Sequence, residues 1–332
     1  MRERKPASDA PRFPGVIDTL TAALAVIGRA PWLLLPPLLL NLVLWWAPPL
    51  RLGDDLVERL LAPFAADGVY AQQLPAEMEP QLATYYELFS AQLHSLDVWA
   101  AVAWPVFFWP TLILGERGTG GLALESGTEV AGVVVALSVV GALLSMLWLA
   151  LISTEVSLGK PSVARVVNRG VRTLLKVIGL AMLLALVFLA VVSPLIIGVA
   201  FVSLLLPGLA GFLNGAVGVF VLWGVLWLGI HLYFVLGAML LDNASIIDAT
   251  RRSILLVRRN FWSALTLIGL SWVLSNGFLL IWLRLSESAA GQLVSILGSA
   301  ALGTALAVAM MIYYKVRVPS VVPTAEAEKV PA

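Results

Sequence analysis

The sequence predicts an all-α integral membrane protein: a six-transmembrane-helix bundle built from three repeats of an interfacial amphipathic helix plus a transmembrane hairpin, with a helical extracytoplasmic insertion. Three observations predict it. The chain of 332 residues is 60% hydrophobic and 12% charged, against about 25% charged in an average globular protein, so lipid must be much of its solvent. Its apolar residues fall into runs of membrane length. Its basic residues gather in the loops on one side of those runs.

A bilayer core of about 30 Å takes roughly 20 apolar residues of helix. Runs of that kind occupy about 31–47, 130–152, 177–206, 212–241, 261–283 and 290–314. The 177–206 run contains Pro194 but no polar turn, which reads as one tilted or kinked helix. Trp32 with Trp45 and Trp46, and Trp262 with Trp282, bracket the first and fifth runs, as expected of indoles at headgroup level. A seventh stretch, Val98–Gly115, carries Pro105 and Pro110 and is read as interfacial or re-entrant.

Charge fixes that choice. If Val98–Gly115 does not cross, 17 of the 21 Lys and Arg residues fall on the side of the termini, and 4 (Arg51, Arg59, Arg117 and Arg284) on the other. This is the positive-inside asymmetry, and it puts both termini in the cytoplasm. The expected organisation is a cytoplasmic N-terminus, amphipathic helix and first span (1–47), an extracytoplasmic acidic loop (48–129), a five-span core (130–314) and a disordered cytoplasmic tail (315–332). The N-terminus lacks the pattern of a cleaved signal peptide.

A displacement of 230 positions lays Ile17-Asp18 on Ile247-Asp248, Arg29 on Arg259 and Trp32 on Trp262. A displacement of 83 lays Ser162 on Ser245, Arg169 on Arg252 and Lys176 on Arg259. Each pair of spans is therefore preceded by an amphipathic segment, over Ser8–Arg29, Ser162–Lys176 and Ser245–Asn260, each expected to lie in the membrane plane. In the second, Arg165, Arg169, Arg172 and Lys176 form one stripe at helical spacing. In the third, Arg251, Arg252, Arg258 and Arg259 form two basic rows. Asp248 is placed to pair with Arg252, and Ile247, Ile254, Val257 and Phe261 are placed to enter the acyl boundary. The expected partner of these eight bases is anionic lipid on the cytoplasmic face, a simpler partner than nucleic acid beside membrane spans.

The stretches "LGKPSVARVVNRGVRTLLK" and "YFVLGAMLLDNASIIDATRRSILLVRRNFW" resemble a poorly characterised group of bacterial six-span membrane proteins that includes the membrane domain fused to some glycerophosphodiester phosphodiesterases. The resemblance covers roughly 15–47 and 130–314. It implies a fold and a place in the bacterial cytoplasmic membrane. The phosphodiesterase barrel is absent, so it implies no catalytic residue, and the long 48–129 loop departs from the group.

That loop holds eleven acidic residues against three arginines. In it, Leu82, Tyr86, Phe89, Leu93 and Leu96 sit at helical spacing, predicting an amphipathic helix that either caps the bundle or serves as a docking surface or gate. Chemistry is sparse. There is no cysteine, hence no thiolate nucleophile or ligand. "GERGTGG" lacks the Lys-Ser/Thr ending of a phosphate loop. His231, inside the fourth span, is either an intramembrane polar site or a neutral side chain bonded to a neighbouring helix. Asn41, Asn214 and Asn276 are expected to bond other helices or sit in loops. Glu155 and Asp242 are expected to pair with nearby arginines. No catalytic, metal or cofactor constellation is found. The expectation is a non-enzymatic, lipid-interacting scaffold or regulatory protein. A transporter is the alternative, and a lipid-acting enzyme ranks last.

Overall fold

The computed structural model describes residues 13–65, 68–69, 79–103, 121–159 and 161–320. Predictions that touch 1–12, Lys160, most of Val98–Gly115, most of the "GERGTGG" loop and the tail beyond 320 lie outside the described residues.

The elements follow in the order α1 (Val16–Arg29), α2 (Leu35–Trp46), β1 (Leu50–Leu52), α3 (Asp54–Leu61), α4 (Glu79–Ser95), β2 (Leu122–Leu124), α5 (Gly127–Leu158), α6 (Val163–Leu205), α7 (Ala210–Leu232), α8 (Val235–Leu241), α9 (Ile246–Arg259), α10 (Phe261–Leu285) and α11 (Ala289–Arg317). Among the described residues, five helical stretches are long and apolar enough to cross a bilayer: α5, α6, α7 with α8, α10 and α11. The chain is a multi-pass, all-α membrane protein. A sixth crossing requires counting α1 with Pro31–Trp46, and the axis bends by 100° between those two pieces. Pro31–Trp46 alone is shorter than the roughly 20 residues of a full span.

Local sequence explains where the helices start and stop. At the head of α1 the Asp18 carboxylate accepts the Gly15 N–H at 2.9 Å, and the helix ends at Ala30, ahead of Pro31. On α9 the Ser245 side chain is the cap: its Oγ accepts the Asp248 N–H at 3.2 Å and its hydroxyl donates to the Asp248 carboxylate at 2.7 Å. Between α8 and α9 the backbone turns through Asn243 at φ +51, a left-handed conformation that Asn adopts more readily than most residues.

Two sequence expectations are corrected here. First, α6 runs unbroken from Val163 to Leu205 with Pro194 inside it, so Ser162–Lys176 is not a separate in-plane helix. Lys176 is followed directly by Val177 and Ile178, and nothing in the sequence there stops a helix. Second, α11 continues to Arg317, which is buried, so the tail does not begin at 315. Of the 98–115 stretch only Val98–Ala103 is described, a 3-10 segment with Val98 and Val102 buried and the Ser138 hydroxyl of α5 bonded to Ala101 O; the rest of that stretch, and its interfacial reading, lie outside the described residues.

The chain divides into two compact units. The first comprises 1–33, 146–276 and 304–332. Its core joins Met146, Trp148, Leu149 and Ile152 of α5, Met239 and Leu240 of α8, Leu256 and Val257 of α9, and Tyr313 and Tyr314 of α11. Phe234 stacks on Tyr313 with 5.0 Å between ring centres. Gly170 lets α6 lie close on α5, since a Cβ there would stand 2.9 Å from Leu147 Cδ2 and 3.3 Å from Met146 O. The most apolar window of α6 has no buried residue, so acyl chains are its natural surroundings.

The second unit comprises 34–145 and 277–303. Its β1 and β2 pair in parallel, Leu50 with Leu122 through Leu52 with Leu124, tying together the two ends of the insertion. Leu50, Leu52, Leu56, Val57, Leu61 and Val98 form its core, and Tyr86 and Leu93 of α4 pack on it. The amphipathic face predicted for α4 is thus only partly used, because Phe89 and Leu96 are exposed. Gly298 seats the Trp282 ring against α11.

Candidate functional site: the basic helices α6 and α9

The eight bases singled out by their spacing lie on the first half of α6 and on α9, two helices that touch. The structure separates them by role.

Three turn inward. Lys176 Nζ donates to Asn243 O at 3.0 Å, Asn243 Oδ1 at 2.8 Å and Ala244 O at 2.9 Å, which ties α6 to the turn that follows α8. Arg169 Nη1 donates to the Ser153 hydroxyl of α5 at 3.2 Å. Arg252 Nη1 donates to Asp242 Oδ2 at 2.6 Å, and the same oxygen accepts the Tyr314 hydroxyl at 2.7 Å. Burial disfavours the charge on the Arg252 guanidinium. The Tyr314 hydroxyl and the Asp242 carboxylate outweigh that cost, so its pKa lies above the ordinary arginine value. The predicted Asp248–Arg252 pair is replaced by this one, because Asp248 is engaged in capping α9.

Four turn outward. Arg165, Arg172, Arg251 and Arg258 are exposed and have no hydrogen-bond or ion-pair partner among the described residues. Arg259 is also exposed and has an interaction of its own. Beside the α6 bases, Val163, Val167, Val171 and Leu175 form an exposed apolar row. The first half of α6 therefore has three faces: Gly170, Thr173 and Val177 against protein, a valine row left bare, and arginines between them.

On α9 the buried face is Ala249, Ser253, Leu256 and Val257. This corrects the expected lipid face. Val257 is fully buried and Ile254 partly so, whereas Ile247 is 77% exposed and Phe261 40% exposed. A 3.6-residue period shows that a helix has an apolar face. It does not show whether protein or lipid covers that face.

His231 lies in the last turn of α7 and is buried. Its Nδ1 lies 2.8 Å from Trp227 O and its ring stacks on Trp227 at 4.0 Å. A carbonyl only accepts, so Nδ1 carries the proton. The partner is on the same helix rather than on a neighbouring one. Asn276 donates within its own helix, to Trp272 O, and Asn41 donates to Pro37 O and has a further interaction besides. Of the two acids expected to pair with arginine, Asp242 does, whereas Glu155 Oε2 is buried with no hydrogen-bond partner among the described residues.

Two features were not legible in the sequence. Buried Arg317 donates to Pro14 O at 2.7 Å and stacks 3.8 Å from the Tyr313 ring centre, fastening the entry of α1 to the end of α11. Ser253, fully buried on α9, bonds both sides of the α7–α8 break. Nothing in their local spacing distinguishes them from tail and surface residues. In the second unit, Arg51, Asp54, Asp55 and Glu125 line an open polar cavity of about 440 Å³. Among the described residues no three His, Cys, Asp or Glu side chains are grouped to hold a metal ion.

No known protein family, no curated protein and no solved structure matches the chain.

Proposed function

We propose that this chain is a non-enzymatic, lipid-interacting scaffold or regulatory protein of the bacterial cytoplasmic membrane, with both termini in the cytoplasm, and that α6 and α9 present its anionic-headgroup surface. One observation carries the reading. Arg165 and Arg172 stand exposed on α6, which also carries the bare row Val163, Val167, Val171 and Leu175, and Arg251 and Arg258 stand exposed on α9, which touches α6; none of the four has a partner among the described residues. An apolar row beside a basic one is the surface an interfacial helix offers to acyl chains and phosphates. Each base near an anionic surface contributes on the order of 1 kcal/mol. Four of them hold headgroups and set depth, while the apolar helices account for insertion.

The test is lipid retention. The parent and a variant with Arg165, Arg172, Arg251 and Arg258 all changed to Gln are purified in native-lipid nanodiscs, and their lipids are counted by mass spectrometry. The variant is expected to remain in the membrane and to lose phosphatidylglycerol and cardiolipin several-fold. Equal anionic lipid in the two overturns the reading.

One observation favours a second reading, a transporter: the span Ala210–Leu241 is interrupted between α7 and α8, and interrupted helices frame substrate sites in many transporters. That reading requires water at the break. Rapid modification of Val235→Cys by a small polar maleimide would support it.

A further inference from the structure

The span Ala210–Leu241 is one apolar stretch, yet it forms two helices. The interrupting residues, Tyr233 and Phe234, are neither proline nor glycine. A group inserted into the i→i−4 ladder is one common cause of a break, and the Ser253 hydroxyl of α9 stands at that place. Its hydroxyl donates to His231 O at 2.6 Å and accepts the Phe234 N–H at 3.2 Å. In an uninterrupted helix these two backbone groups would bond Val235 N–H and Ile230 O. One hydroxyl, with one donor and two lone pairs, replaces both.

The continuous helix is close by. Tyr233 already has helical dihedrals, φ −53 and ψ −37, and Phe234 stands at φ −94 and ψ 4. Rotating Phe234 φ by roughly 30° and ψ by roughly 45° would bring it to helical values. His231 O and the Phe234 N–H thus have a partner in either form: Ser253 in the interrupted one, and Val235 N–H and Ile230 O in the continuous one.

Helix α9 grips both ends of α8. Ser253 holds its first end at Phe234, and Arg252 holds its last at Asp242. The same helix carries Arg251 and Arg258 on its outer face. We propose that Ser253 is a latch through which the position of α9 sets the form of the α7–α8 span, and that anionic headgroups, by holding α9 through Arg251 and Arg258, favour the interrupted form. The headgroup input rests on the lipid reading above. The latch rests on the serine geometry alone.

The chain has no cysteine, so Val219→Cys and Thr266→Cys give a clean pair for nitroxide labels, both at exposed positions. Their distance distribution is measured by pulsed EPR in nanodiscs of phosphatidylcholine, with and without phosphatidylglycerol. Val219 lies 14 residues before Tyr233, an arm of about 21 Å, so a change of about 20° at the break moves the label by roughly 7 Å. Ser253→Ala is expected to move the mean distance by several ångströms and to abolish any response to phosphatidylglycerol. Ser253→Thr, which keeps the hydroxyl, is expected to return the parent's distribution. A Ser253→Ala distribution like the parent's, or equal shifts for Ala and Thr, overturns the latch. A parent indifferent to phosphatidylglycerol, with Ala shifted and Thr restored, keeps the latch and overturns its control by headgroups.

Discussion

Arg252 reaches back ten residues along the chain to Asp242 and meets its carboxylate at 2.6 Å across the turn from α8 to α9. Both side chains are less than one-third exposed, and Tyr314 joins at the same oxygen. Removing one partner leaves the other charge partly buried and unpaired, which costs more than the pair itself contributes. Asp242→Asn and Arg252→Gln should each lower stability by about 2 kcal/mol. A double-mutant cycle on thermal unfolding in detergent should give a coupling above about 1 kcal/mol.

Gly170 should tolerate little. A Cβ there meets Leu147 Cδ2 at 2.9 Å and Leu147 Cα at 3.2 Å, where α6 crosses α5. Gly170→Val should cost about 1–3 kcal/mol by overpacking. Gly224→Val is the control, because a Cβ at Gly224 meets nothing within 4 Å. Equal melting temperatures for the two variants would remove the α5–α6 crossing from the account.

Arg317 should hold the N-terminal segment down. Its bond to Pro14 O and its stacking on Tyr313 order the entry to α1. Arg317→Met keeps much of the volume and removes the donors. Limited proteolysis should then cut near Phe13 several-fold faster than in the parent, with the rest of the digestion pattern unchanged.

The topology read from charge has a direct check. Single cysteines at Ser162 and Ile247 should be protected from an impermeant reagent in intact cells, and one at Glu287 should react. All three positions are exposed, so burial does not confuse the result. Labelling at Ser162 from outside would reverse the placement of α6.

Much of the architecture was legible because its signals are local. Apolar runs of membrane length gave five helices directly, and the 14 residues of α9 were visible as an amphipathic period with Ser245 at its head. What escaped depends on contacts between distant segments. The period of α9 could not say that Val257 would be buried and Ile247 left bare, since protein and lipid select the same residue types. Charge spacing could not separate Arg252, paired back to Asp242, from Arg251, its exposed neighbour. The division of the bases into struts and free cations is thus a property of the packed fold. The continuity of α6 was missed for a different reason. The basic stripe suggested a boundary at Lys176, but a helix is stopped by backbone-breaking residues or a cap, and none stands there.

That division is the central claim, and one paired measurement tests it most directly. Arg251→Gln/Arg258→Gln and Arg252→Gln are compared in the same nanodiscs for melting temperature and for bound phosphatidylglycerol and cardiolipin by mass spectrometry. The account predicts opposite signatures: lost anionic lipid at an unchanged melting temperature for the outward pair, and a lowered melting temperature with parental lipid for Arg252→Gln. Anionic lipid lost equally from both variants, or from neither, would contradict it.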